Sequence, residues 1–243
     1  MLPEHEGGHY AFRGLDEVVV VDVETTGLEP DRDRVIQVSA IRARLDELAI
    51  DQHATCQEFR SLVDPEVSVS PKITQITGLT DSKLSGQLKF SDLANRLREF
   101  IGDSPIVAHN VSFDKKFLNA EFERAGVSKI KAKSFCTMKR IAEVEEKITG
   151  HRAKWRKLEE ASEIFGLRRR EGAIHDASED AQIALELAAA LYRRDNGLKV
   201  LLSVRVSNFV SSLKVFFVKA VKVITVIILV LFVVILAIGL LSA

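Results

Sequence analysis

Asp22 and Glu24 are the first residues in this sequence whose placement suggests chemistry. They interrupt and end the run Val18-Val-Val-Val-Asp-Val23, and the period-two geometry of a strand puts both carboxylates on one side. An acid inside a valine run is costly to bury unless a metal ion or a cationic partner neutralises it. The alternative is a strand that simply finishes at the surface. His109-Asn-Val-Ser-Phe-Asp114 sets an acid in a first helical turn directly after a strand, a position that the helix dipole alone also favours. His175-Asp-Ala-Ser-Glu-Asp180 opens an Ala-rich helix, so that His175 and Asp180 can face one cavity from adjoining loop and helix positions. Singly, they read as a surface histidine and a helix-start acid. Beside the first pair, these two segments reinforce the reading of Asp22 and Glu24 as a metal site.

The elements that must position these groups follow from pattern. Val18 to Val23, bounded by Thr-Thr-Gly, reads as a central strand; Val35 to Arg44 and Thr55 to Val63 read as two more, giving an antiparallel meander. Val69 to Asp81 reads as a loop with a short helical turn stopped by Gly78. Phe90 to Ile101 carries a helical stripe, Pro105 to His109 is a brief strand, and Val111 to Ala125 is a helix closed by Gly126. Phe135 to Ile148, Lys157 to Phe165 and Asp176 to Arg194 read as helices. Strands first, then strand and helices, predict a mixed α/β domain.

Taken together, the segments resemble the DEDDh 3′–5′ exonucleases, the group that contains the proofreading epsilon subunit of bacterial DNA polymerase, ribonuclease T and oligoribonuclease. Asp22-Val-Glu-Thr-Thr-Gly27 matches the first motif, His109 to Asp114 the second and His175 to Asp180 the third, in family order, over roughly Asp16 to Arg194. Ile76-Thr-Gly-Leu-Thr-Asp81 is similar to the family's loop after the third strand, where His often stands in place of Thr77. The resemblance implies a ribonuclease H-like fold, a mixed five-stranded sheet flanked by helices. It implies two Mg²⁺ ions, replaceable by Mn²⁺, on Asp22, Glu24, Asp114 and Asp180. In that scheme Asp22 bridges both ions, Glu24 and Asp180 support the one that binds the attacking water, Asp114 supports the one near the leaving 3′-oxygen, and His175 is the general base. Thr25, Thr26 and Gly27 fall where the chain passes the terminal nucleotide; for Thr26, turn stabilisation is an equal reading. Leu28 and Phe113 can pack on the terminal sugar or base, or belong to the core. His109 and Asn110 can orient the second motif. The implied activity releases nucleoside 5′-monophosphates from single-stranded DNA or RNA 3′ ends. The runner-up is a membrane-associated nucleic-acid-binding adaptor with weak or no turnover.

Charge is balanced overall, with 34 basic and 34 acidic residues, but not locally. Residues 1–66 hold 15 acidic and 6 basic side chains, whereas residues 129–170 hold 13 basic and 6 acidic. An enzyme that gathers metal ions in one place and grips a polyanion in another needs both signs. The basic stretch from Lys129 to Arg170 can track phosphates, and Trp155 within it can stack on a base. Cys56 and Cys136 lie far apart and exclude a disulfide framework or a zinc knuckle. Residues 1–15 read as a disordered lead-in without secretory character, 16–196 as the catalytic domain and 197–222 as a basic amphipathic connector. Residues 223–243 are 21 residues without a charge, long enough to cross a bilayer as a helix. The expectation is therefore a single-pass membrane protein, its C-terminus in the lipid and its catalytic domain in the cytoplasm.

Overall fold

The computed structural model describes residues 11–167 and 174–197, all within a unit running from Met1 to Leu198, with a second unit from Lys199 to Ala243. The chain forms β1 (Glu17–Thr25), β2 (Val35–Arg44), α1 (Leu45–Leu48), β3 (Gln57–Leu62), α2 (Pro71–Thr77), α3 (Asp81–Leu84) and α4 (Phe90–Ile101). β4 (Ile106–Ala108), α5 (Val111–Arg124), β5 (Ser134–Cys136), α6 (Thr137–Thr149), α7 (Leu158–Ile164) and α8 (Ala177–Asp195) follow. The five strands form one mixed sheet in the order β3-β2-β1-β4-β5. β1, β2 and β3 are the expected antiparallel meander, and β4 and β5 join parallel to β1.

β1 is the middle strand, which explains why its valines run without polar alternation. Val18 and Val20 pack with Ile41 and Ala43 against α8, whereas Val19, Val21 and Val23 pack against α4 and α5. Both faces of the sheet are thereby covered. Ala181, Ala184 and Ala188 are fully buried, and their small side chains let α8 lie close on the strands. α2 begins at Pro71 with the Ser70 hydroxyl accepting from Ile73 N–H, and Gly78 ends it at φ +67°, a left-handed conformation that glycine adopts without strain.

Phe12, inside the stretch read as a lead-in, is fully buried. Its N–H donates to Asp195 Oδ2 at 2.8 Å, where Arg140 Nε also binds at 2.9 Å. Gly14 N–H donates to Asn196 Oδ1 and the Tyr192 hydroxyl to Asp16 Oδ1. The start of the domain is thus tied to the last turn of α8.

Two expectations need correction. Phe135 belongs to the short strand β5 and not to the following helix, which starts at Thr137. The transmembrane reading, with its bilayer partner and membrane location, is not supported. Among the described residues no helix is long and apolar enough to cross a membrane. The longest, α8 with 19 residues, carries Glu179, Asp180, Glu186, Arg193, Arg194 and Asp195. The expected span at 223–243, and the connector from 198 onward, lie outside the described residues.

Candidate active site

β1 outruns its parallel neighbour. Val19 and Val20 pair with Ile106 and Val107 of β4, and then β4 stops while β1 continues through Asp22, Val23 and Glu24. Asp22 and Glu24 share the α8 side of this overhang, opposite Ser39 and Gln37 of β2. The next residue, Thr25, follows a register shift, and its hydroxyl donates to Gly27 O at 2.6 Å. Val23 N–H, on the side where β4 has ended, donates instead to Asp114 Oδ1 at 3.2 Å. The first turn of α5 replaces the missing strand and delivers a carboxylate to the strand end.

Asp114 is buried. Burial is the main force pushing its carboxyl up to about 7; its own N–H and that of Val23 oppose the shift, and the charge of Asp180 adds to it. Concentrating acids here costs energy that a cation would offset. Asp180, also buried, sits in the first turn of α8, and its Oδ2 is 3.5 Å from His175 Nδ1. His175 is half exposed, and its backbone N–H donates to Ile76 O of α2 at 2.8 Å. Among the described residues, Glu24, His175 and Asp180 bring one ligand atom each within 4.8 Å of one another. The carboxylate oxygens of Glu24 and Asp180 are hard ligands fit for Mg²⁺ or Mn²⁺, whereas an imidazole nitrogen suits softer divalent ions. The trio differs from the sequence-derived ligand set by including His175 and leaving out Asp22 and Asp114.

Asp22, Glu24, Asp114, Asp180 and His175 all line one cleft of about 450 Å³. Thr25, Gly27, Leu28, His109, Asn110 and Phe113 line it too. Thr26 does not: its N–H donates to Arg34 O and its hydroxyl accepts from Arg34 N–H, both at 2.9 Å, so it serves the turn. A Cβ at Gly27 would lie 2.4 Å from Asp33 Oδ2 and would push aside the carboxylate that accepts from Glu29 N–H. Leu28 stands 77% exposed beside the cleft, and Phe113 packs at a tilt of 45° against Phe117 with centroids 4.8 Å apart. Asn110 caps α5 at φ +89°, a conformation that asparagine tolerates better than most residues.

His109 has both ring nitrogens engaged, Nδ1 with the Thr137 hydroxyl and Nε2 with Arg156 O, each at 2.8 Å. A carbonyl only accepts, so Nε2 carries the proton and Nδ1 accepts in the neutral ring. Burial lowers its pKa against the opposing pull of the Arg156 carbonyl. His109 therefore pins α6 and the segment before α7 to the end of β4.

Several contributors were not among the expected site residues. Ile73, Ile76 and Thr77 of α2 form one wall, and Lys157, Leu158 and Glu159 form another. Gln37 donates to Asp176 Oδ2 at 2.9 Å and accepts from Ala177 N–H at 3.2 Å. Asp176 caps α8 through Ser178 and Glu179 N–H. Burial works against its ionisation, but Gln37, these N–H groups and Arg60 outweigh it and hold its pKa down. The cap had a legible signal, an Asp directly before the Ala-rich helix; its partner on β2 had none.

A second support lies under the loop that carries Leu28. Glu121 of α5 is 1% exposed and binds Arg34 at 2.8 Å, while also accepting from Val35 N–H at 3.1 Å. Arg124 reaches the carbonyls of Asp33 and Pro30. α5 thus places Asp114 at one end and clamps the loop after β1 at the other.

The sequence pattern of the exonuclease family that includes RNase T matches residues 19–188. The chain belongs to this exonuclease family. The match takes in all five clustered residues. Among its relatives, the PolC-type DNA polymerase III of Halalkalibacterium halodurans is 38% identical over 115 residues, 47% of this chain and 8% of the polymerase. The epsilon subunit of DNA polymerase III from Treponema pallidum is 28% identical over 192 residues, 78% of this chain and 81% of that subunit. The chain spans only 8% of the length of the PolC-type relative. Among solved structures, E. coli exonuclease I in complex with a dT13 oligonucleotide has a TM-score of 0.59 at 18% identity, covering 75% of this chain and 42% of that one. That likeness is one of fold, the mixed five-stranded ribonuclease H-like sheet.

Proposed function

We propose that this exonuclease removes nucleotides from the 3′ end of single-stranded nucleic acid, releasing nucleoside 5′-monophosphates. The observation that carries the reading is the convergence of Asp22, Glu24, Asp114, Asp180 and His175 on one cleft. The relatives supply context, since one is a polymerase subunit and a structural neighbour is described holding an oligonucleotide.

Two divalent ions held by Asp22, Glu24, Asp114 and Asp180 would polarise water and neutralise charge on the phosphoryl oxygens. The chain's own groups do the rest. His175 stands at the open side of the cleft and takes the proton of the attacking water; Asp180, 3.5 Å from its Nδ1, stabilises the imidazolium that forms. Water oxygen bonds to phosphorus, the bond from phosphorus to the 3′-oxygen breaks, and that oxygen is reprotonated from solvent. Leu28, Phe113, Ile73 and Ile76 give the terminal sugar and base an apolar seat. Thr25, its hydroxyl turned to Gly27 O, keeps the backbone of the strand end in place beside the 3′-terminus.

The test is Mg²⁺-dependent digestion of a single strand carrying a distinct label at each end. Stepwise release of 5′-mononucleotides from the 3′ side is the expected result. Internal cuts, release from the 5′ side, or binding without turnover overturns the reading.

A further inference from the structure

Outside the cleft, one groove concentrates positive charge. A groove of about 420 Å³ between α5, β5 and the start of α6 is lined by Lys115, Lys116, Lys131, Lys133 and Lys139, with Ser112 and Ser134, and by no Asp or Glu. Lys115 is partly committed, donating to Ala132 O and the Ser134 hydroxyl. Lys116, Lys131 and Lys133 are exposed, and no acidic side chain pairs with them among the described residues. Other cations of the basic stretch are engaged elsewhere: Arg140 with Asp195 and Glu143, Arg156 with Glu145, and Lys129 with Glu123. The structure thus separates cations used for folding from cations that face outward.

The groove adjoins two other features. Its α5 wall starts at Val111 and Ser112, in the same helical turn whose other side gives Asn110, Phe113 and Asp114 to the cleft. At its far end Lys139 also borders a hollow lined by Arg152, Trp155, Glu143 and Glu146, of which Glu143 pairs with Arg140 and Glu146 accepts from Ala153 N–H. Trp155 is 62% exposed, two residues before Lys157 of the cleft wall. An exposed indole costs burial energy in the free protein and offers a face to any base.

We propose that this surface holds the single strand upstream of the 3′ end, with backbone phosphates on Lys131 and Lys133 and one base stacked on Trp155. The inference rests on the nuclease reading for the identity of the strand, but its physical content is a binding site. The cleft alone has room for the terminal nucleotides; the lysine surface adds contacts that only longer strands reach.

Trp155 is the only tryptophan in the chain, so its fluorescence reports the site directly. The full chain is titrated with a ten-nucleotide single strand in EDTA, which removes turnover from the measurement. Saturable quenching is expected, weakening as salt rises. Lys131→Glu with Lys133→Glu should weaken affinity at least tenfold and lower the salt slope by roughly 1.4, about 0.7 for each lost phosphate contact. With Mg²⁺, the same double variant should lose kcat/KM on the long strand. It should keep the parent's rate on a p-nitrophenyl ester of thymidine 5′-phosphate, which reaches only the cleft. Quenching unaffected by salt and by the double variant, or equal quenching by poly-glutamate of matched charge, would overturn the proposal. A parent that binds and quenches but hydrolyses neither substrate would sink the nuclease reading and leave the binding site standing.

Discussion

Val23 and Asp114, 91 positions apart, meet in one hydrogen bond of 3.2 Å from backbone N–H to carboxylate. The bond performs two tasks. It satisfies a donor that β4 leaves unpaired by ending early, and it holds the Asp114 carboxylate beside Asp22 and Glu24. Sheet completion and site assembly are here a single contact.

A consequence is a particular dependence on pH. The Asp114 carboxyl lies near 3.8 ordinarily and is pushed up to about 7 in the fold. Between those values the folded protein keeps a proton that the unfolded chain releases, so the contribution of Asp114 to stability is full below about pH 4 and falls as pH rises towards 7. In EDTA the melting temperature should therefore decline across that window, and Asp114→Asn should flatten the decline. A parent whose melting temperature rises between pH 4.5 and 7 while the Asn variant tracks it would contradict this.

Asp22→Asn should abolish turnover with the fold intact. The side chain keeps its size and loses its charge in an acid-rich cleft, so melting in EDTA should be unchanged or slightly higher. Activity within threefold of the parent would remove Asp22 from the proposed ligand set.

His175→Ala should retain strand binding and cost about 10²–10⁴ in rate, the usual scale of general-base assistance. Single-turnover measurements at saturating strand separate the chemical step from binding. An unchanged rate would assign water activation to groups other than the imidazole.

Glu121→Ala strips Arg34 of its partner and leaves Val35 N–H, buried in the structure, without an acceptor. The cost should be at least about 2 kcal/mol, from an unpaired charge and a lost bond to a buried donor. Because Glu121 secures the loop carrying Leu28, KM for short strands should rise more than kcat falls. Urea unfolding and steady-state kinetics read the two effects, and Glu121→Gln, which can still accept from Val35, should lie between.

The five acid and histidine positions were legible because each sits at an element boundary that the sequence also marks. A valine run ends at Asp22, a strand yields to a helix before Asp114, and an Ala-rich helix opens before Asp180. The meander was legible from alternation and turns. Less visible were features made by tertiary contact. Gln37 looked like an ordinary strand residue, and only its position beside Asp176 gives it a role. β5 has three residues, too short for a period, and Phe135 fitted a helical stripe equally well. Phe12 preceded any recognisable pattern. Hydropathy at 223–243 reported length and composition, neither of which specifies a packing environment.

The bonds joining Phe12 and Gly14 to Asp195 and Asn196 bring the entry and exit of the domain to one spot. A chain can therefore arrive, fold and leave without crossing the molecule. A module of this kind can be spliced into a host polypeptide as a side loop, since its two attachment points demand almost no separation in the host. Homologous stretches carried within much longer polymerases are what such portability would produce.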